Sequence, residues 1–149
     1  MQFTIPGPPQ GKARARTVYN KFSGRVMSYT PDKTVLYENL IKSAYEAALD
    51  RVAYIDKEPL TMFITAYFDI PKSTTKKNRA LIDEGKLLPT KKPDIDNIAK
   101  VVCDALNGLA YRDDTQIVRL IMDKKYTNDL PRVEVGIWPY EEEGENEPT

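Results

Sequence analysis

Three stretches of the chain predict β-strands, and in the first of them apolar and polar residues alternate, as they do in a half-buried strand. These stretches are residues 60–70, 117–126 and 132–138, which are rich in β-branched and aromatic side chains. We expect the first of them to be a central strand of the sheet. Residues 3–5 predict a short strand that Pro6 ends, and residues 21–25 predict a turn between two short extended pieces.

A second pattern, with apolar residues every three or four positions, predicts helices. One helix has a buried face and ends at Asn107-Gly108; the face consists of Ile98, Val101, Val102, Ala105 and Leu106. Another opens at Thr30-Pro31, with Thr30 as its cap, and ends near Asp50. Its predicted buried face is Val35, Leu36, Leu40, Ala44, Ala47 and Ala48. Residues 73–84 predict a short third helix with a basic exposed face.

Together these elements predict an α+β fold with a mixed β-sheet that helices cover on one face. At 149 residues the chain has the length of one domain, and it contains no internal repeat. We therefore expect a single domain over residues 1–140. The acidic residues 141–149 predict a solvated, disordered tail.

The amino-acid composition excludes several classes of catalytic and metal-binding site. The chain has no histidine, which removes histidine-based acid–base catalysis, Ser-His and Cys-His nucleophiles, and nearly all zinc sites. The single cysteine, Cys103, lies on a predicted buried helix face, which favours a packing role in a reducing compartment. Because neither a signal peptide nor a long apolar run is present, we expect a cytoplasmic protein without membrane contact.

The net charge is zero, but the charges are unevenly distributed. Residues 1–92 hold about 16 Lys and Arg against about 9 Asp and Glu, and the rest of the chain has about 6 against about 13. Much of the acidic excess lies in the predicted tail. The folded part is therefore basic, as suits a polyanionic partner, although this signal alone is weak.

Candidate chemistry is concentrated between Asp94 and Gln116. Asp94 and Asp96 are two positions apart, so both side chains point the same way if the backbone there is extended. Asp113 or Asp114, in the loop before the next strand, can supply a third carboxylate. Three carboxylates hold a hard divalent cation, which can polarise a phosphodiester and generate a hydroxide nucleophile.

Lys100 lies on the same predicted helix stripe as Asp96 and Asp104, at i, i+4, i+8 spacing, opposite the apolar face. A cation there can neutralise charge on a pentacovalent phosphorane. Judged by spacing alone, a purely structural role for these residues is favoured over a metal site. Asp96 or Asn97 would then be a helix cap, the Asp96–Lys100–Asp104 series would form surface ion pairs, and Asp113-Asp114 would form a turn.

A longer motif favours the metal site over the purely structural role. The segment Asp94-x-Asp96-Asn97-x-x-Lys100-x-x-x-Asp104-x-Leu106-Asn107-Gly108, followed by Asp113-Asp114-x-Gln116, resembles the signature of the RusA family of crossover junction endodeoxyribonucleases. The N-terminal half resembles one branch of that family: Pro8-Pro9-x-Gly11-Lys12-x-Arg14-x-Arg16, then Tyr29-Thr30-Pro31 with Tyr37 and Glu38. The resemblance covers most of the chain except residues 73–90 and the acidic tail.

The resemblance implies a RusA-like fold and a homodimer, often phage- or prophage-encoded, that nicks Holliday junctions symmetrically with Mg²⁺ or Mn²⁺. Carried over by position, Asp94, Asp96 and Asp114 are the metal ligands, and Lys100 is the catalytic lysine. Asn97, Asp104 and Asp113 are supporting residues, with Asp113 orienting the loop and Asp104 holding Lys100. No organic cofactor is implied. The unmatched insert before Pro93 leaves the preferred branched substrate open.

Basic residues that flank this site are candidate DNA contacts. Lys12, Arg14 and Arg16 lie in a loop flanked by glycine and proline, and Lys91 and Lys92 directly precede Pro93. Tyr19, Phe22 and Tyr29 either belong to the core, as is more usual, or stack on unpaired bases.

Three functions remain in competition at this point. The first is a metal-dependent junction nuclease. The second is a non-catalytic protein that binds branched DNA, whose carboxylates only cap and pair. The third is a phosphohydrolase of small nucleotides, which the absence of a glycine-rich phosphate loop disfavours.

Overall fold

The computed structural model describes residues 1–49 and 54–142, except the side chain of Arg16. Its strands are β1 (Gln2–Pro6), β2 (Arg16–Asn20), β3 (Arg25–Tyr29), β4 (Leu60–Asp69), β5 (Ile117–Thr127) and β6 (Arg132–Pro139). Its helices are α1 (Asp32–Ala48), α2 (Lys76–Asp83) and α3 (Ile95–Leu106), and a 3-10 turn spans Asp114–Gln116. Most of the predicted tail, residues 143–149, lies outside the described part of the chain.

Four strands form one mixed sheet in the order β1-β6-β4-β5. β6 pairs antiparallel with both β1 and β4, whereas β4 and β5 are parallel. The parallel pair needs a crossover, and α2 and α3 lie within it. The prediction of a central strand at residues 60–70 is confirmed, because β4 has a neighbour on each side.

Helices α1 and α3 pack on one face of the sheet. Met62, Ile64 and Ala66 of β4 are buried on that face, whereas Phe63 on the opposite face is exposed. The ring of Tyr45 in α1 meets the ring of Phe3 edge-on, with centroids 5.4 Å apart. The predicted α+β domain, with a mixed sheet covered by helices on one face, is confirmed. None of the helices in the described part of the chain is long and apolar enough to cross a membrane.

The prediction for the buried face of α1 is wrong except at Ala44, which is partly buried against the core. The helix buries Thr34, Tyr37, Ile41 and Tyr45 and exposes Val35, Leu36 and Leu40. Both sets fit a helical period, and the two tyrosines with Ile41 fill more core volume than the alanines of the predicted set. The cap is also wrong: Pro31 occupies the N-cap position without a side-chain bond, and its carbonyl accepts from the backbone of Thr34 at 3.0 Å.

The predicted turn at residues 21–25 is confirmed. It joins β2 and β3, which pair antiparallel with each other in a two-stranded sheet of their own. This hairpin is connected through residues 7–15 to β1 and leads directly into α1.

Candidate active site

The N-terminus of α3 carries the first two candidate carboxylates. Asp94 is the N-cap residue, with an extended backbone, and Asp96 is in the first helical turn. The premise that both lie in an extended segment is therefore wrong, because the helix already includes Ile95 and Asp96. Both carboxylates are exposed at the end of the helix where the partial charge is positive, which stabilises anions.

Asp114 is held near the other end of α3. Its backbone N–H donates to Oδ1 of Asn107, the C-cap residue of α3, at 3.0 Å. Asp114 is half-buried, whereas Asp113 is exposed. The helix terminus thus positions the loop that carries Asp114.

Asp113 has a different role in the same loop. It caps the 3-10 turn in a reciprocal capping box with Gln116, and its Oδ2 accepts from the hydroxyl of Thr115 at 2.9 Å. The side chain of Gln116 also donates to the carbonyl of Ile55 at 3.1 Å. The carboxylate of Asp113 is therefore engaged in shaping the loop.

The aspartates of this region fall into two groups. Among the residues described, no ion pair or side-chain hydrogen bond occupies the carboxylates of Asp94, Asp96 and Asp114. Asp104 and Asp113, by contrast, are both engaged. The three uncommitted carboxylates are the ones that the family resemblance assigns to the metal.

Asp104 belongs to an ion-pair cluster that joins α1 to α3. Lys12 Nζ lies 2.6 Å from Glu38 Oε1 and 3.2 Å from Asp104 Oδ2. Partial burial lowers the pKa of Lys12, but the hydrogen bonds to Glu38 and Asp104 outweigh it, so its pKa is raised above the usual value. The amino group of Lys12 thus already has two carboxylate partners, which favours a structural role over a phosphate contact.

Lys100 remains available to a ligand. Its side chain is 62% exposed, and Nζ lies 3.9 Å from Asp104 Oδ2, at the outer limit of an ion pair. Such an exposed contact orients the lysine without neutralising it strongly. The predicted role of Asp104 as a partner of Lys100 is compatible with this distance, although Lys12 is the closer partner.

A basic groove of about 670 Å³ leads to Asp94. Four cationic residues line it, together with Asp94 as the single acidic one; the cations are Lys12, Arg14, Lys33 and Lys92. Its floor is tightly packed, because a Cβ on Gly11 would lie 2.8 Å from Cβ of Asn97. The backbone of Lys12 also donates to the carbonyl of Asn97 at 2.9 Å. Asn97 thus fastens the groove to α3.

The remaining predicted DNA contacts are placed differently. Lys91 is exposed outside the groove lining; its carbonyl accepts from Lys124 Nζ at 2.6 Å, and its own Nζ lies 5.7 Å from the ring centroid of Phe68. The side chain of Arg16 lies outside the described residues. The structure thus brings three predicted DNA contacts together in the groove, Lys12, Arg14 and Lys92, and of these Lys12 is already paired with carboxylates.

Buried side chains of the core lie beneath α3. Burial raises the pKa of the Cys103 thiol to about 11, with a smaller contribution from the charge of Asp114. Burial likewise raises the pKa of Tyr111, whose hydroxyl donates to the carbonyl of Cys103 at 2.8 Å. Cys103 Sγ lies 3.8 Å from Met62 Sδ. These contacts support the predicted packing role of Cys103.

The carboxylate oxygens of Asp94, Asp96 and Asp114 are ligands of the kind that suit a hard cation. Within the described residues, however, no three Cys, Asp or Glu side chains already converge as a coordination group. Asp94 and Asp96 lie at the N-terminus of α3, whereas Asp114 is tethered to its C-cap residue, so a change in the loop or in the side chains has to bring their oxygens to one ion. The metal set remains a prediction.

Three residues of the site were not predicted from the sequence. Asn107 was interpreted only as a helix terminus, yet its side chain holds Asp114. Glu38 appeared in the motif without a role and pairs with Lys12. Lys33 gave no sequence signal, because one lysine in a first helical turn is ordinary, and only the packing of α1 places it in the groove.

The chain is similar to known proteins over most of its length. The family model for endodeoxyribonuclease RusA matches residues 6–138. An uncharacterized protein of Bacillus subtilis (strain 168), YqaN, is 37% identical over 139 residues, which cover 92% of this chain and 94% of that protein. The match spans the groove, α3 and the loop with Asp114, and it implies an endodeoxyribonuclease that resolves Holliday junctions. The chain belongs to the RusA endodeoxyribonuclease family.

Proposed function

We propose that the protein is a Mg²⁺-dependent endonuclease that resolves four-way DNA junctions by paired, symmetric nicks. The observation that supports the proposal most is that the aspartates of the site differ in whether their carboxylates have partners. Asp94, Asp96 and Asp114 have uncommitted carboxylates, whereas Asp104 and Asp113 are engaged in structure. Asp94 also lines the basic groove, which supports a role in binding a phosphate-containing partner over a role as a cap alone.

Asp94, Asp96 and Asp114 would hold the magnesium ion, with Mn²⁺ as a possible substitute. When bound, the ion supplies Lewis-acid polarisation of the scissile phosphate and lowers the pKa of a coordinated water. The positive end of α3 adds to the attraction for phosphate near Asp94. Asn107 and Asp113 set the position of Asp114, so the third carboxylate does not depend on a free loop.

Lys100 would act on the transition state. Its exposed amino group, oriented by Asp104, can donate to a non-bridging or leaving oxygen of the phosphate as negative charge develops there. Hydrolysis breaks one P–O bond and adds water across it, so an added cation near the leaving oxygen stabilises the charged species. The groove residues Arg14 and Lys92 would hold the strand by its phosphates.

We further propose that the active form is a homodimer, because one such site cuts one strand and symmetric resolution needs two related cuts. Two exposed apolar surfaces could form the contact. One is the outer stripe of α1, with Leu36 and Leu40, and the other is the open sheet face, with Phe63 and Trp138. Light scattering of Leu36→Glu and Trp138→Glu would assign the interface, and a monomeric wild type would refute the dimer.

The proposal is tested by incubating the purified protein with a synthetic four-way junction and a linear duplex of the same sequence. Each is treated with Mg²⁺, with Mn²⁺ or with a chelator. We expect paired nicks in the junction alone, and only with a divalent metal. Asp96→Asn is the matched control, because it keeps the shape of the side chain and should bind the junction without cutting it.

Two results would contradict the proposal. Junction binding without cleavage under either metal would favour the non-catalytic branched-DNA-binding protein. Hydrolysis of a free nucleotide that the junction does not inhibit would favour the small-nucleotide phosphohydrolase.

A further inference from the structure

The β2–β3 hairpin presents an aromatic side chain at its tip that packs against nothing described in the chain. Phe22 is fully exposed, and Tyr19, Val26 and Met27 along the strands are each more than half exposed. The two strands form a sheet of their own, apart from the four-stranded sheet. Because an isolated two-stranded ribbon is marginally stable, a surface of this kind is expected to have a partner.

The tip is held in one shape by its own hydrogen bonds. Asn20 Oδ1 accepts from the backbone N–H of Phe22 at 2.9 Å, and the carbonyl of Asn20 accepts from Gly24 at 2.9 Å. Gly24 has a φ of +66°, which a glycine adopts without strain. Phe22 is therefore presented by an ordered turn, so contact with a partner costs little backbone entropy.

The charges of the hairpin identify the class of partner. Residues 13–29 include Arg14, Arg16, Lys21 and Arg25 and contain no Asp or Glu. Lys21 and Arg25 are exposed on either side of the Phe22 turn. An aromatic ring between cations is the combination that stacks on a nucleic acid base while the cations contact adjacent phosphates.

The root of the hairpin is attached to the active site. The backbone N–H of Ala13 donates to Thr34 Oγ1 in α1 at 3.1 Å, and that of Lys12 donates to Asn97 in α3 at 2.9 Å. Each β-strand of the hairpin has five residues and spans about 17 Å. The tip can therefore reach beyond a DNA strand that is bound in the groove. In an open four-way junction, base stacking is interrupted at the branch point, which distinguishes that point from the interior of a linear duplex.

We propose that Phe22 recognises the branch point by stacking on an unpaired or unstacked base, and that Lys21 and Arg25 hold the flanking phosphates. The hairpin would thus select branched DNA over linear duplex, while α3 carries the chemistry. This inference deepens the proposed function and rests on it for the identity of the substrate.

The test compares wild type, Phe22→Ala and Phe22→Trp for affinity to a four-way junction and to a linear duplex in chelator, by fluorescence anisotropy. Phe22→Ala should weaken junction binding about tenfold, equal to about 1.4 kcal/mol and within the range for one stacked base. Duplex binding should change less than twofold, and Phe22→Trp should restore junction affinity. Leu130→Ala, which changes another largely exposed apolar residue in the β5–β6 turn, is the control.

A second readout reports the stacking itself. With 2-aminopurine at the branch point, wild-type protein should change the fluorescence of that base, and Phe22→Ala should abolish the change while still bound at higher concentration. Equal losses for junction and duplex, or no loss for either, would overturn the inference. So would a Phe22→Ala protein that becomes monomeric where wild type is dimeric, since the hairpin would then be a subunit contact.

The inference and the proposed function fail separately. If wild type never cuts the junction but Phe22 still controls branch binding, only the nuclease assignment is lost. If wild type cuts the junction and Phe22→Ala binds and cuts it equally well, only the role of the hairpin is lost.

Discussion

Helix α3 and the β2–β3 hairpin are built in opposite ways. α3 buries six residues, including Ile98, Val101 and Val102, and carries its functional groups on the exposed side of a rigid element. The hairpin buries almost nothing and consists of exposed aromatic, apolar and cationic side chains. A site for chemistry needs fixed positions, whereas a site for recognition needs reach and accessible surface.

This difference predicts how substitutions should divide. Changes on α3 and in its linked loop should affect cleavage and spare DNA binding. Changes in the hairpin and groove should affect binding and spare the chemical step. The following predictions test that separation.

The largest effect is expected from one of the two neighbouring aspartates in the loop after α3. Asp114→Asn should lower the cleavage rate about 1000-fold or more, because a metal ligand is lost, with junction affinity kept or raised. Asp113→Asn is the matched control, since asparagine still caps the 3-10 turn, and it should cut at nearly the wild-type rate. Single-turnover cleavage of a labelled junction measures both; the reverse order would assign the metal to Asp113.

Lys100→Ala should lower the single-turnover rate about 100-fold, the usual effect of removing one group that stabilises transition-state charge. Junction affinity should fall less than threefold. Lys100→Arg, which keeps the charge, should recover part of the rate. A variant that loses affinity and rate in the same proportion would show that Lys100 is a binding residue.

Lys12→Met tests whether Lys12, in the segment that connects β1 to the β2–β3 hairpin, has a structural role. Loss of its bonds to Glu38 and Asp104 should lower the free energy of unfolding at pH 7 by about 2 kcal/mol. Because folding raises the pKa of Lys12, the contribution of this lysine to the free energy of unfolding is fully present below the pKa of an unfolded lysine. It is lost as pH rises through the higher folded value. Urea unfolding from pH 7 to strongly alkaline pH should show the two proteins converging.

A Lys12→Met protein that is as stable as wild type but binds the junction weakly would contradict that role. It would instead return Lys12 to the predicted set of phosphate contacts.

The smallest effect is expected in the groove. Arg14→Ala combined with Lys92→Ala should weaken junction and duplex binding alike, about tenfold, and should reduce the slope of log affinity against log salt by about two. The cleavage rate at saturating protein should not change. Lys42→Ala combined with Lys57→Ala removes the same charge outside the groove and should leave the slope unaltered; an equal reduction would point to general electrostatics.

Sequence alone was sufficient for the fold class, the strands of the main sheet, the position of α3 and the family. These follow from local regularities: alternation in β4, a 3.6-residue period in α3, and a motif whose spacing is fixed along the chain. The periodicity of α1 was insufficient, because two stripes fit the same helix. Only the packing of Tyr37, Ile41 and Tyr45 under the sheet decides between them.

The tertiary structure decided which polar groups are engaged and which are available. Asp104 and Asp113 look like Asp94, Asp96 and Asp114 in sequence, and their difference comes from Lys12, Thr115 and other residues that folding brings within bonding distance. Likewise, the sequence did not decide whether the aromatic side chains of the hairpin lie in the core or on the surface. Exposure is a property of what packs against a side chain, and for Phe22 nothing in the described chain does.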